Sequence, residues 1–268
     1  MTRPFLTHSR QVKLLASVRS PEEAIVAVRG GADIVDAKEP ARGALGEVAT
    51  ETLAGIRNVV PRSIAVSATT GDIAVTEAER IADACRRVAD AGADWVKIGF
   101  FGTSGAASLL DHLSVLETAH GRRIAVLMAD QDPDFGIVDD LAGAGFAGVM
   151  LDTVAKGGQS LTDHISEEVL GEFIARARAN HLLTGLAGSL RLRHIQQLMP
   201  LAPDVLGFRG ALCRQGQRTD GIEAGLVADV RSAMTDAAAL AVMAVRSGIE
   251  DQRQGTTARI SGVEKGPR

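Results

Sequence analysis

Charged side chains stand inside or at the ends of apolar runs, where solvation alone does not account for them. In Ile34-Val35-Asp36-Ala37-Lys38, Asp36 and Lys38 are two residues apart and point to one side of an extended strand. Lys97 lies in Trp95-Val96-Lys97-Ile98-Gly99. Asp130 closes Val126-Leu127-Met128-Ala129-Asp130, and Asp152 closes Val149-Met150-Leu151-Asp152, with Lys156 shortly after. One such residue alone reads as an ion pair capping a strand end, but two lysines within apolar runs call for another explanation. A lysine attacks a carbonyl after losing its proton, so its ordinary pKa of about 10.4 must be lowered by burial or by a neighbouring cation. A second lysine supplies that cation. A carboxylate such as Asp36 pulls the other way, yet can shuttle the protons that imine formation and dehydration require.

Glycine-rich turns follow three of the apolar runs. Gly185-Leu186-Ala187-Gly188-Ser189 and Gly207-Phe208-Arg209-Gly210-Ala211 place Gly188, Ser189, Gly207 and Gly210 where backbone N–H groups can hold a phosphate, and Arg209 adds a charged fork. Gly99-Phe100-Phe101-Gly102-Thr103-Ser104-Gly105 follows the Lys97 run, so Gly99 and Gly102 are candidate contacts to the same ligand. Ser67, in the third run, is a further candidate. Any one of these turns reads as plain turn chemistry. Two at one site, one carrying an arginine, point to a phosphorylated small molecule.

The elements that must position these residues alternate between short β-branched runs and longer segments of helical period, the pattern of repeated βα units on a parallel sheet. Eight runs are legible, at 12–18, 33–38, 64–68, 95–100, 124–129, 148–152, 183–187 and 205–208. Eight is the number that closes a (β/α)8 TIM barrel, and the charged residues then gather at the C-terminal ends of its strands. Gly30-Gly31-Ala32-Asp33, Ala91-Gly92-Ala93-Asp94 and Ala144-Gly145-Phe146-Ala147 echo one another where a helix should end and the next strand begin. An open doubly wound sheet is disfavoured, since no Gly-x-Gly-x-x-Gly follows the first strand. The expected organisation is an N-terminal extension at 1–11, a single barrel domain over 12–247 and a polar, disordered tail at 248–268. The segment 39–47, with Pro40, Gly43 and Gly46, reads as a functional loop after the second strand.

Composition narrows the class. Of 268 residues, 46% are hydrophobic and 23% charged, enough apolar surface for a packed core. A net charge of −4 with interspersed acids and bases gives no basic footprint for nucleic acid or an anionic membrane. No stretch approaches the length of an apolar membrane span, and Met1 to Gln11 lacks a signal core, which suggests a cytoplasmic protein. Two cysteines, Cys85 and Cys213, and six histidines show no metal-ligand spacing.

At Ala32-Asp33-Ile34-Val35-Asp36-Ala37-Lys38-Glu39-Pro40, followed by Gly43-Ala44-Leu45-Gly46, the chain resembles the (5-formylfuran-3-yl)methyl phosphate synthase family. The likeness continues through Val66-Ser67-Ala68-Thr69-Thr70-Gly71-Asp72, Asp94-Trp95-Val96-Lys97-Ile98-Gly99 and Leu151-Asp152-Thr153-Val154-Ala155-Lys156. It implies condensation of two glyceraldehyde 3-phosphate molecules, with loss of phosphate and water, to a furan aldehyde phosphate used in methanofuran-type cofactors. It also implies an imine on Lys38, a proton acceptor at Lys97, a homo-oligomer, and neither a metal nor an organic cofactor. The residues taken by themselves leave two alternatives: another Schiff-base aldolase or isomerase of phosphorylated sugars, or a barrel that binds a phosphorylated ligand without catalysis.

Overall fold

The computed structural model describes residues 11–102, 105–115, 122–155 and 158–260, with residue 242 and those from 244 onward by backbone alone. Eight parallel strands close into a barrel in chain order, β1 pairing with both β2 and β8. They are β1 (Lys13–Val18), β2 (Ile34–Ala37), β3 (Ala65–Thr69), β4 (Trp95–Phe100), β5 (Arg122–Met128), β6 (Phe146–Asp152), β7 (Leu183–Leu186) and β8 (Val205–Phe208). Between them run α1 (Pro21–Arg29), α2 (Thr50–Val59), α3 (Ala78–Asp90), α4 (Ala106–Ser114), α5 (Val138–Gly143), α6 (Leu161–His164), α7 (Glu167–Ala179) and α8 (Leu192–Leu198), and α9 (Ala224–Ile260) follows β8. The eight runs expected from sequence are these strands, with ends moved by a residue or two. Thirteen residues of the segment expected as a disordered tail, 248–260, are helical as the end of α9. Residues 1–10 and 261–268 lie outside those described.

Local chemistry sets the joints. Ser20 caps α1 by accepting the Glu23 N–H at 3.3 Å, with Pro21 in the first turn where no donor is needed. In the three echoes the second residue carries the left-handed turn: φ is +94° at Gly31, +101° at Gly92 and +77° at Gly145. The aspartates two residues after the first two of these glycines then lock neighbouring strands. Asp33 accepts the Leu14 N–H and Asp94 the Val66 N–H, each at 2.8 Å, and Asp204 does the same for Thr184 at 2.9 Å.

Two apolar layers result. The outer one packs strand side chains such as Leu14, Val35, Val96 and Leu206 against the helices. The inner one fills the barrel with Leu15, Ile34, Ile124, Val126, Met128 and Met150, and Leu45 of the loop after β2 closes over it. The inner layer is interrupted by charge on β2, β4 and β6, and there the site begins. Among the described residues no helix is long and apolar enough to cross a membrane.

Candidate active site

Strand register brings Ser17, Asp36 and Ser67 to one level on three consecutive strands. Asp36 is fully buried and accepts hydrogen bonds from Ser17 Oγ at 2.9 Å and Ser67 Oγ at 2.6 Å, while Lys97 Nζ stands 2.8 Å from its Oδ1. One level higher, Lys38 Nζ lies 3.2 Å from Asp152 Oδ2. β2 and β6 face each other across the closed barrel, so this contact spans its mouth. Asp152 also accepts the Thr153 N–H at 2.8 Å. Two ion pairs are thus stacked inside the barrel. A buried ion pair contributes little net stability, because desolvation offsets its Coulombic gain. The arrangement therefore asks for a chemical use.

The electrostatics differ between the levels. Burial pushes the Asp36 carboxyl up, but the Lys97 and Lys38 ammonium groups, with hydrogen bonds from Lys97 and Ser67, outweigh it and hold the acid below its ordinary range. Burial pushes Lys97 down, Asp36 opposes it, and the Lys38 charge adds to the lowering; the net direction is downward. Lys97 is thus disposed to act as a base in a site that keeps its neighbour ionised.

Above these residues opens a polar cavity of about 300 Å³. Lys38, Lys97, Asp152, Ser189, Gly207, Arg209 and Gly210, all expected at the site, line it. A larger, mostly apolar cavity lies at the other end of the barrel. We place the chemistry in the smaller one because the facing charges are there. Among the described residues the N–H groups of Ser189, Leu190 and Gly210 meet no protein acceptor, and all three residues border the polar cavity. Ser189 holds a left-handed φ of +51°, unusual for a residue with a side chain. Gly188 sits behind it. A Cβ there would come within 2.9 Å of Thr153 Cγ2, so glycine lets the loops after β6 and β7 touch.

Other expected residues are placed differently. Arg209 has all five N–H groups committed: to Glu23 Oε1 and Oε2, and to the carbonyls of Ser17, Arg218 and Asp220. Its geometry suits the frame of the mouth better than the phosphate fork expected from sequence. Asp130 accepts the Val154 and Ala155 N–H groups at 2.8 and 2.7 Å, anchoring the loop after β6 rather than facing the lysines. Gly99 lies beneath Leu45 and Phe101, where a Cβ would collide with both, and Gly102 borders a small crevice away from the lysines. Neither meets the mouth cavity. Lys156 lies outside the described residues.

Four contributors escaped the sequence reading. Ser17 completes the Asp36 shell. Asp72 accepts the Ala44 and Leu45 N–H groups at 2.8 and 2.6 Å and holds the loop after β2 in place. Arg218 donates through Nη2 to the carbonyls of Pro40 and Gly43, pinning the same loop from the segment after β8, and it borders the mouth with Arg191. Burial, the first cause, pushes Arg218 below its ordinary value. Gly43 has φ of +122°, and a Cβ there would collide with the Asp72 carboxylate, so glycine is what lets the clamp close. No group of three His, Cys, Asp or Glu among the described residues is placed to hold a metal ion.

Known proteins resemble this chain over most of its length. A (5-formylfuran-3-yl)methyl phosphate synthase of Methanococcus aeolicus is 35% identical over 219 residues, covering 78% of this chain and 93% of that protein. The synthase of Methanocaldococcus jannaschii is 35% identical over 230 residues, covering 81% and 97%. A Methylorubrum extorquens protein that carries the same name provisionally is 42% identical over 226 residues, 84% of this chain and 93% of its own. Among solved structures, phosphoribosyl anthranilate isomerase of Thermotoga maritima superposes with a TM-score of 0.62 at 13% identity over 84% of this chain and 99% of its own, a likeness of fold alone. The family model for 4-HFC-P synthase matches residues 14–231, which takes in all eight strands but the first residue of β1 and both ion pairs, and the chain belongs to that family.

Proposed function

We propose that this chain is a (5-formylfuran-3-yl)methyl phosphate synthase, condensing two molecules of glyceraldehyde 3-phosphate with release of one phosphate and two waters for a methanofuran-type cofactor. The observation that carries the reading is the stacked pair Lys38–Asp152 over Lys97–Asp36 beneath a polar mouth of about 300 Å³. Lys38 Nζ attacks the aldehyde carbon of one substrate and water leaves, giving an imine. The imine draws electrons from the adjacent C–H, whose proton passes to Lys97, and the resulting enamine carbon bonds to the carbonyl carbon of the second substrate. Phosphate then leaves with the C–O electron pair as a neighbouring C–H proton is removed, which makes the enzyme a carbon–oxygen lyase with aldol-type chemistry. Loss of two waters closes the ring and makes it aromatic, and hydrolysis of the imine frees Lys38, taking up the water lost when the imine formed. Ser189, Leu190 and Gly210 offer N–H groups to a phosphate, and Arg191 and Arg218 offer charge. The same reading takes the enzyme to be cytoplasmic and homo-oligomeric, with neither metal nor organic cofactor.

The test is incubation of the purified protein with glyceraldehyde 3-phosphate. A furan absorbance should grow in step with released inorganic phosphate, one per furan. Phosphate release without a furan would indicate a simpler elimination, and absence of both would remove the reading.

A further inference from the structure

The barrel holds a second chamber, at the N-terminal ends of its strands, of about 410 Å³. Leu15, Ile34, Trp95, Ile124, Met150 and Val205 form its wall. Polar groups stand at two places. Gln11, Lys13, Thr184 and Asp204 border it, and at its inner end are Ser67 and Lys97. Leu15 and Lys97 also border the catalytic mouth, so one lysine separates two rooms.

An apolar wall favours an apolar ligand over water, and a cavity of about 150 Å³ already admits a benzene ring. Trp95 and Met150 offer an aromatic face and a polarizable sulfur, both suited to a flat ring. The Arg122 guanidinium lies 5.4 Å from the Trp95 ring centroid, which holds the indole in place. The inner end asks for an acceptor: Ser67 spends its hydroxyl proton on Asp36, whereas the Lys97 nitrogen carries more than one hydrogen.

We propose that the lower chamber is a separate binding site for a neutral, flat ring compound bearing one carbonyl acceptor, which stacks in the apolar wall and engages Lys97 from beneath. Such a ligand restrains the Lys97 side chain in its contact with Asp36 and so slows turnover without entering the mouth. That second consequence rests on the function proposed above, whereas binding itself does not.

Trp95 is the one tryptophan of a chain with no tyrosine, so its emission reports this chamber directly. Furan-2-carboxamide is a suitable probe, since its amide carbonyl forms no imine with either lysine. The full chain should show a saturable change in Trp95 emission with a Kd below about 1 mM. Val205→Phe and Leu183→Phe, which fill the chamber and touch no catalytic group, should each weaken binding by about ten-fold or more while retaining the native circular dichroism. The probe should lower kcat and leave the KM for glyceraldehyde 3-phosphate unchanged. Unresponsive emission, equal titration of both filled variants, or competition with substrate would overturn the proposal. So would binding that emerges after residues 1–10 are removed, because the chain itself would then occupy the site. A saturable titration in a protein that makes no furan would sink the proposed reaction and leave the chamber standing.

Discussion

Lys38 and Lys97 serve one ligand space from different depths, the first at the mouth and the second a level lower against a fully buried acid. We expect borohydride with glyceraldehyde 3-phosphate to label Lys38, and Lys38→Ala to abolish that label. Lys97→Ala should keep some label and lose turnover by about a hundred-fold or more, the usual scale of a general base. A label in Lys38→Ala that maps to Lys97 would reverse the two roles. The pH dependence follows from the same pair. Asp36 is held below its ordinary 3.8, so its contribution to stability is fully present above that value and is lost as pH falls through the folded one. Lys97 is held below its ordinary 10.5, so between its folded value and 10.5 the unfolded chain binds more protons and stability rises with pH. Denaturant titrations of wild type and Lys97→Met across alkaline pH should show that rise in the wild type alone. The rising limb of kcat should likewise fall below 10.5 and vanish with Lys97→Ala. Arg209→Ala should act through the frame: the buried pair with Glu23 is broken, which costs about 3–5 kcal/mol and is read as a lower Tm. A normal Tm with a raised KM would restore Arg209 to the phosphate.

Among the elements, the loop after β2 decides how Lys38 is presented. Asp72 holds it through two backbone N–H groups and Arg218 through two carbonyls, contacts that come from distant parts of the chain. Asp72→Ala removes both acceptors at once. We expect a loss of about 1.5–3 kcal/mol in transition-state stabilisation, seen in kcat/KM, with borohydride labelling of Lys38 slowed rather than abolished. Unchanged kinetics would make the clamp incidental. Asp130 does for the loop after β6 what Asp72 does for the loop after β2. Neither role is visible in an apolar pattern, because a carboxylate that accepts backbone N–H groups looks the same in sequence as one that moves protons. Asp36, by contrast, was legible: it sits inside a strand, two residues from a lysine, where a structural carboxylate has no water to turn to.

Across the whole molecule, α9 joins the barrel through Val227, Val230, Met234 and Ala237, which are buried, while Leu240 and Met243 are exposed. Met234→Ala should cost about 2–5 kcal/mol of unfolding free energy. A chain ending at residue 243 should unfold at the same temperature as the full one, and a drop in Tm would show that the distal helix belongs to the fold. What the sequence determined by itself is the barrel and the strands that carry its charges. Strand faces are fixed by a two-residue alternation, and eight buried parallel strands with glycine-marked joints have few ways to close. It also pointed to two lysines at one mouth, although Lys97 stands in the middle of β4, a level below Lys38. Tertiary structure alone decided the partners: that Asp36 pairs with Lys97 rather than with Lys38 two residues away, that Lys38 reaches across the barrel to Asp152, and that Arg209 spends its donors on Glu23. Side chains two apart on one strand face run side by side, whereas a closed barrel points those of other strands at each other, and that convergence depends on register and curvature that no local pattern encodes.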